Sequence, residues 1–275
     1  MITPRRVLTT LLLAALTPAL VPAAALADAS PVPGPVTSMA SLGDSITRGF
    51  NACGFYLDCP SRSWSTGSAS SVNSHYRRLQ AANPSLIAYN DGKTGAKAAD
   101  IPGQAQRAVS QGVDYVTILV GANDACTSSE ASMTPVADYE AAFRTALRTL
   151  TTGLPNAAIF VTSVPDVKRL WEVGKGSSAA RAAWATLDIC QSLLERPRST
   201  DQADVDRRDR VRARVADYNA VAARVCAEYV VCRTDGGAVF AYRFELSNVN
   251  TWDYFHPNTS GQRLLAELTY PADDR

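Results

Sequence analysis

Only two histidines occur in this 275-residue chain, His75 and His256, so a histidine base has few places to be. His256 lies in TWDYFHPNTSG, three residues after Asp253. In a tight turn Asp253 can accept from the ring Nδ1–H, which fixes the tautomer and leaves Nε2 for a serine hydroxyl. The same pair also reads as a cap on the helix that follows, and spacing alone leaves the two readings even. His75 falls in an amphipathic stretch beside Tyr76 and Arg77, which marks it as a surface or boundary residue. A serine suited to such a base stands in SLGDSITRG, residues 41–49, just past an apolar run. Gly43, Gly49 and the Asp44-Ser45 pair are also what an ordinary strand-to-helix turn contains.

Two further loops carry small polar residues. YNDGKTGAKA (89–98) holds Asn90, Gly92 and Gly95, and LVGANDACTS (119–128) holds Asn123. A backbone N–H and an Asn amide are the donors an oxyanion hole uses, although each position also fits turn or cap chemistry. Other chemistries lack their markers. There is no G-x-S-x-G, H-E-x-x-H or G-x-x-x-x-G-K-[ST], and no G-x-G-x-x-G after the first strand. A glycosidase carboxylate pair stays open, because 26 acids are scattered without a marker.

The elements that must position these residues follow a strand–helix alternation. Short β-rich runs at 36–43, 85–90, 114–121, 157–165 and 228–233 alternate with helical patterns, which implies a parallel sheet covered on both faces. TPVADYEAAFRTALRTLTTGLP places Tyr139, Phe143, Ala146, Leu147 and Leu150 on one helix face. Residues 201–229 read as one long helix with Val205, Val211, Val215, Tyr218, Val221 and Val225 as its apolar stripe. Asp206, Asp209 and Asp217, interspersed among its arginines, make the other face a solvated surface and not a nucleic-acid face. A last helix spans about 259–269. In a parallel sheet, sites form at the carboxyl ends of the strands, where the GDS, NDG and GAND loops lie. Ser45 is expected to open a helix whose N–H groups face the reacting centre.

Residues 1–27 read as a cleaved signal peptide: Arg5 and Arg6, an apolar run, then Ala-Leu-Ala at 25–27. A Pro-rich segment, 28–37, leads into a single domain over 38–275. Lys and Arg total 27 against 26 Asp and Glu, so charge gives no reason to expect a nucleic-acid partner, and no later stretch predicts a membrane helix. Six cysteines in an exported chain favour disulfides over zinc. Cys53/Cys59 and Cys226/Cys232 share one short spacing and suggest local loops, which leaves Cys126 with Cys190.

Taken together, GDSITRG, NDGKTG, GAND and DYFHP resemble the four blocks of the SGNH hydrolases, or GDSL esterases/lipases, in order over about residues 38–269. The exported, cysteine-rich form looks most like the secreted actinobacterial branch. The first block has Ile46 where the family has Leu, and Asp91-Gly92-Lys93 is more polar than the second block's pattern. The resemblance implies a three-layer α/β/α flavodoxin-like fold with a parallel sheet of about five strands. It implies Ser45 as nucleophile, His256 as base and then acid, and Asp253 as its orienting partner. The oxyanion hole would be the Ser45 and Gly95 N–H groups with the Asn123 amide, Gly92 being the alternative to Gly95. No cofactor or metal is implied. The expected protein is a secreted, monomeric serine esterase or lipase that acts on small-molecule or lipid esters through an acyl-enzyme. A carbohydrate acetylesterase or phospholipase on the same scaffold is the alternative, and a non-catalytic exported binding protein the remaining one. Phe50, Phe55, Tyr56, Trp64 and Trp252 are candidates for an acyl pocket or for the core.

Overall fold

The computed structural model describes residues 36–270. The expected signal peptide and most of the Pro-rich segment lie outside the described residues. Five strands form one sheet: β1 (Ser38–Gly43), β2 (Ile87–Asn90), β3 (Tyr115–Leu119), β4 (Ala158–Val161) and β5 (Cys232–Thr234). All pairings are parallel, in the order β2-β1-β3-β4-β5, and Ala40 of β1 stands level with Tyr89 on one side and Val116 on the other. The principal helices are α1 (His75–Ala82), α2 (Ile101–Gln111), α3 (Val136–Gly153), α4 (Val167–Gly174), α5 (Ser178–Thr186), α6 (Gln202–Cys226) and α7 (Thr259–Thr269).

Alternation along the strands divides the core. Ala40, Leu42, Val116, Ile118, Ile159 and Val161 belong to the larger apolar cluster, which includes Phe143 and Leu147 of α3 and Val211 and Val215 of α6. Met39, Tyr115, Ala158 and Phe160 form a second cluster with Tyr76 and Leu79 of α1 packed on it. Both sheet faces are therefore covered, as parallel strands require. The expected α3 face is buried at Tyr139, Phe143, Ala146, Leu147 and Leu150.

Several expectations need correction. His75 is fully buried: its Nδ1 lies 2.8 Å from the Tyr115 hydroxyl and its Nε2 2.8 Å from Thr269 Oγ1. Two hydroxyl partners satisfy the ring inside the core, which a helical-wheel reading could not foresee. The fifth strand starts at Cys232 rather than 228, because the Cys226–Cys232 disulfide holds the end of α6 to the start of β5. On α6, Val205 is only half-buried, while Asp204 and Arg208 are buried. Asp204 is paired with Arg196 and Arg207, and the Arg208 guanidinium stacks on Trp171 at 4.3 Å. Arg210, Arg212 and Arg224 pair with Glu130, Asp166 and Glu140, so these α6 cations are spent on neighbouring acids.

The three disulfides are Cys53–Cys59, Cys126–Cys190 and Cys226–Cys232, which leaves none of the described cysteines free. No helix of the described residues is long and apolar enough to cross a membrane.

Candidate active site

In the order β2-β1-β3-β4-β5 the chain reverses direction of growth between β1 and β3, and loops leaving those two strands diverge to open a crevice. β1 ends at Gly43 with φ +146°, and a Cβ there would stand 2.2 Å from the Leu119 carbonyl oxygen of β3. Glycine lets the two strand ends meet. The Gln104 side chain of α2 grips this peptide from both sides: Gly43 N–H donates to Gln104 Oε1 (2.7 Å) and Gln104 Nε2 donates to the Gly43 carbonyl (2.9 Å).

The chain after Gly43 is a series of turns, not the helix expected there. Arg48 N–H donates to the Asp44 carbonyl and Phe50 N–H to that of Ser45, a single helical turn. Gly49, at φ +62° and packed against the Cys59 carbonyl, stops it. Asp44 closes the turn by accepting from Ile46 N–H (2.8 Å), and complete burial pushes its carboxyl up to about 7. Ser45 is thereby held at the sheet's carboxyl edge, 4% exposed.

His256 arrives from the loop before α7. Its Nε2 is 2.8 Å from Ser45 Oγ and its Nδ1 2.7 Å from Asp253 Oδ2. Asp253 is buried but amply bonded. Oδ2 also accepts from Asn51 Nδ2 (2.6 Å), while Oδ1 accepts from Asn250 Nδ2 (3.0 Å) and from the N–H groups of Phe255 (2.7 Å) and His256 (3.0 Å). Burial opposes ionisation of this carboxyl, yet the hydrogen bonds and charge of His256 with the backbone N–H groups hold it below the usual carboxylate range. Asn51 and Asn250 were not anticipated from the sequence. Asn51 is 202 residues from its partner and carries slight motif signal, whereas Asn250 stands three residues before Asp253, a local spacing that could have pointed to it.

The loops after β2 and β3 are stitched together beside Ser45. Asn123 Nδ2 donates to the Ala96 carbonyl (3.0 Å), which leaves its second amide hydrogen, and Ala98 N–H donates to Asp124 Oδ2 (3.0 Å). Gly95 has φ +83° and faces open space, whereas a Cβ on Gly92 would meet Thr47 and Asn90 at 3.1 and 3.2 Å. Among the described residues, neither the Ser45 nor the Gly95 N–H has a hydrogen-bond acceptor. A cavity of about 80 Å³, mostly apolar, is lined by Ile46, Ala122 and Phe255, the sequence neighbours of Ser45, Asn123 and His256, but by none of those three residues themselves. Of the aromatic candidates, Trp64 is wholly buried in the core and Phe50 packs its ring 4.9 Å from that of His256. Phe55, Tyr56 and Trp252 are exposed.

A serine, an imidazole and a carboxylate in this relay can deprotonate the hydroxyl as it attacks a carbonyl. The sequence profile of the GDSL-like lipase/acylhydrolase family matches residues 41–264. The chain belongs to that family. No curated protein matches it. Among solved structures, it is similar to LAE5, an alpha/beta hydrolase enzyme from the metagenome of Lake Arreo, Spain. The two share 19% identity at a TM-score of 0.54 over 84% of this chain and 92% of that one. A variant of Axe2, an acetyl xylan esterase from Geobacillus stearothermophilus, is 17% identical, with a TM-score of 0.54 over 86% of this chain and 94% of that one. At such identities the likeness shows the fold. The GDSL profile spans both ends of the site, from Ser41 on β1 past His256 into α7.

Proposed function

We propose that this GDSL-family protein is a secreted serine esterase that cleaves carboxylic esters through an acyl-enzyme on Ser45. The observation that carries the reading is the unbroken relay from Ser45 Oγ through His256 to Asp253, at 2.8 and 2.7 Å. Ser45 Oγ attacks the ester carbonyl while His256 Nε2 takes the hydroxyl proton, and Asp253 stabilises the imidazolium and holds its tautomer. The oxyanion receives the unspent N–H groups of Ser45 and Gly95 and the second amide hydrogen of Asn123. His256 returns its proton to the departing alcohol, and water attacks the acyl-enzyme by the same path in reverse. Export is supported by the leader-like first 27 residues and by three disulfides.

The acyl group enters the cavity beside Ile46, Ala122 and Phe255. A cavity of about 150 Å³ takes a benzene ring, so 80 Å³ suits an acyl chain of about two to four carbons. Ser45→Ala is expected to lower p-nitrophenyl butyrate hydrolysis by at least ~10³-fold with an unchanged thermal melt. Full activity in that variant would reject the assignment. Decanoate cleaved as fast as butyrate would reject the short acyl site.

A further inference from the structure

Eight large hydrophobic side chains are exposed among the described residues, and four of them, Phe55, Tyr56, Leu57 and Trp252, lie on the two loops that flank the serine–histidine pair. Phe55 is 56%, Tyr56 68% and Trp252 52% exposed. Their rings form one continuous chain to the site: Trp252 to Phe55 at 5.4 Å, Phe55 to Tyr56 at 5.6 Å, Tyr56 to Phe50 at 5.6 Å and Phe50 to His256 at 4.9 Å. The loop is braced. The Cys53–Cys59 disulfide closes its base, and Asn51 Oδ1 accepts from Tyr56 N–H (2.6 Å) while its amide holds Asp253. Tyr56 has φ +56°, a left-handed conformation costly for a bulky aromatic residue that turns it outward. An exposed apolar cluster kept in place at some cost in strain marks an interaction surface.

The chemistry of the ridge selects the occupant. Residues 50–57 and 246–252 contain no Asp, Glu, Lys or Arg. Of the charges around them, Asp58 is held by Arg48 at 2.9 Å and Asp253 is buried against His256. Arg62, between the loops, donates to the Ala52 carbonyl and Thr259, and Glu245 flanks the second stretch. Phe55 is tilted 51° from Tyr56 and 54° from Trp252, so the rings make a wedge rather than a flat shelf for a sugar ring. Phe55 and Leu57 have no side-chain group to hydrogen-bond hydroxyls, and Tyr56 and Trp252, each with a single polar tip, are the aromatic types favoured where one end is apolar and the other wet. We infer that this ridge docks the enzyme on the surface of an aggregated, uncharged lipid ester and delivers single molecules to Ser45. The inference rests on the esterase reading for what happens after docking, but docking itself is measurable without turnover.

The test uses the Ser45→Ala protein with phosphatidylcholine vesicles and with tributyrin droplets. Partition to both is expected to fall at least tenfold on adding Phe55→Ser and Trp252→Ser, and to persist in high salt, since no charge attracts the ridge. In the active protein the same double substitution is expected to lower the ratio of emulsified to dissolved tributyrin hydrolysis at least tenfold, with the thermal melt kept. Equal partition of both proteins would overturn the proposal, as would partition abolished by salt. So would loss of binding to acetylated xylan with vesicle binding intact, which would make the ridge a sugar platform. Vesicle binding in a protein that hydrolyses no ester would reject the esterase reading and leave the docking surface standing.

Discussion

Asp253 accepts five hydrogen bonds, and only the one from the His256 ring is part of the proposed proton relay. The others keep the carboxylate charged and aimed. Asn51 matters most, because it shares Oδ2 with the imidazole and also anchors Tyr56. A hydrogen bond to a charged group contributes about 1.5–3 kcal/mol, so Asn51→Ala is expected to lower kcat on a dissolved ester roughly 10–100-fold. Steady-state kinetics with the melt as control checks this, and wild-type kcat would remove Asn51 from the relay's support. Ser45, Asp253 and His256, which the structure brings together, stand out in the sequence because each sits in a short motif whose chemistry is local. Asn51, Asn250 and Gln104 do not. An amide side chain is common, and the partners of Asn51 and Gln104, 202 and 61 residues away, are brought near only by folding, while Asn250 acts within its own turn, three residues from Asp253.

Between elements, the least legible residue was His75. It joins α1 to β3 and α7 through two hydroxyls, on a helix whose pattern placed it at the surface. Burial, aided by Arg78, lowers its pKa to about 3. The unfolded chain takes up this proton near its reference value of about 6.5 and the folded chain only near 3. The unfolded state thus holds more protons in that window, and stability falls as pH drops through it, by on the order of 5 kcal/mol in all. Above about pH 7 the group adds no pH dependence. Urea titrations of His75→Asn between pH 4 and 7 are expected to show a flatter stability profile than wild type; parallel profiles would contradict the buried neutral ring. The strand runs and α3 could be read from periodicity, since continuous apolar runs and a 3.6 repeat are local signals, whereas the sheet order β2-β1-β3-β4-β5 rests on pairings between distant segments and could not. The absent helix after Ser45 could not, because Gly49 and the Cys53–Cys59 loop end it through contacts with Cys59.

For the molecule as a whole, the disulfides divide by the length of chain they close. Cys126–Cys190 spans 64 residues and ties the middle of the connection between β3 and α3 to the segment beyond α5, whereas the other two span six. Restricting the unfolded chain gives about 4 kcal/mol for the long loop and about 2 kcal/mol for each short one. Cys126→Ala/Cys190→Ala is therefore expected to destabilise roughly twice as much as Cys226→Ala/Cys232→Ala in denaturant titrations. Equal losses would mean that local packing, not chain restriction, sets their value.

The central claim is that Ser45 is the nucleophile and His256 its base. A fluorophosphonate probe followed by peptide mass mapping tests it most directly. The adduct is expected on the peptide carrying Ser45, absent in Ser45→Ala and formed at least ~10²-fold more slowly in His256→Ala. An adduct on another serine, or none in the wild-type protein, would contradict it.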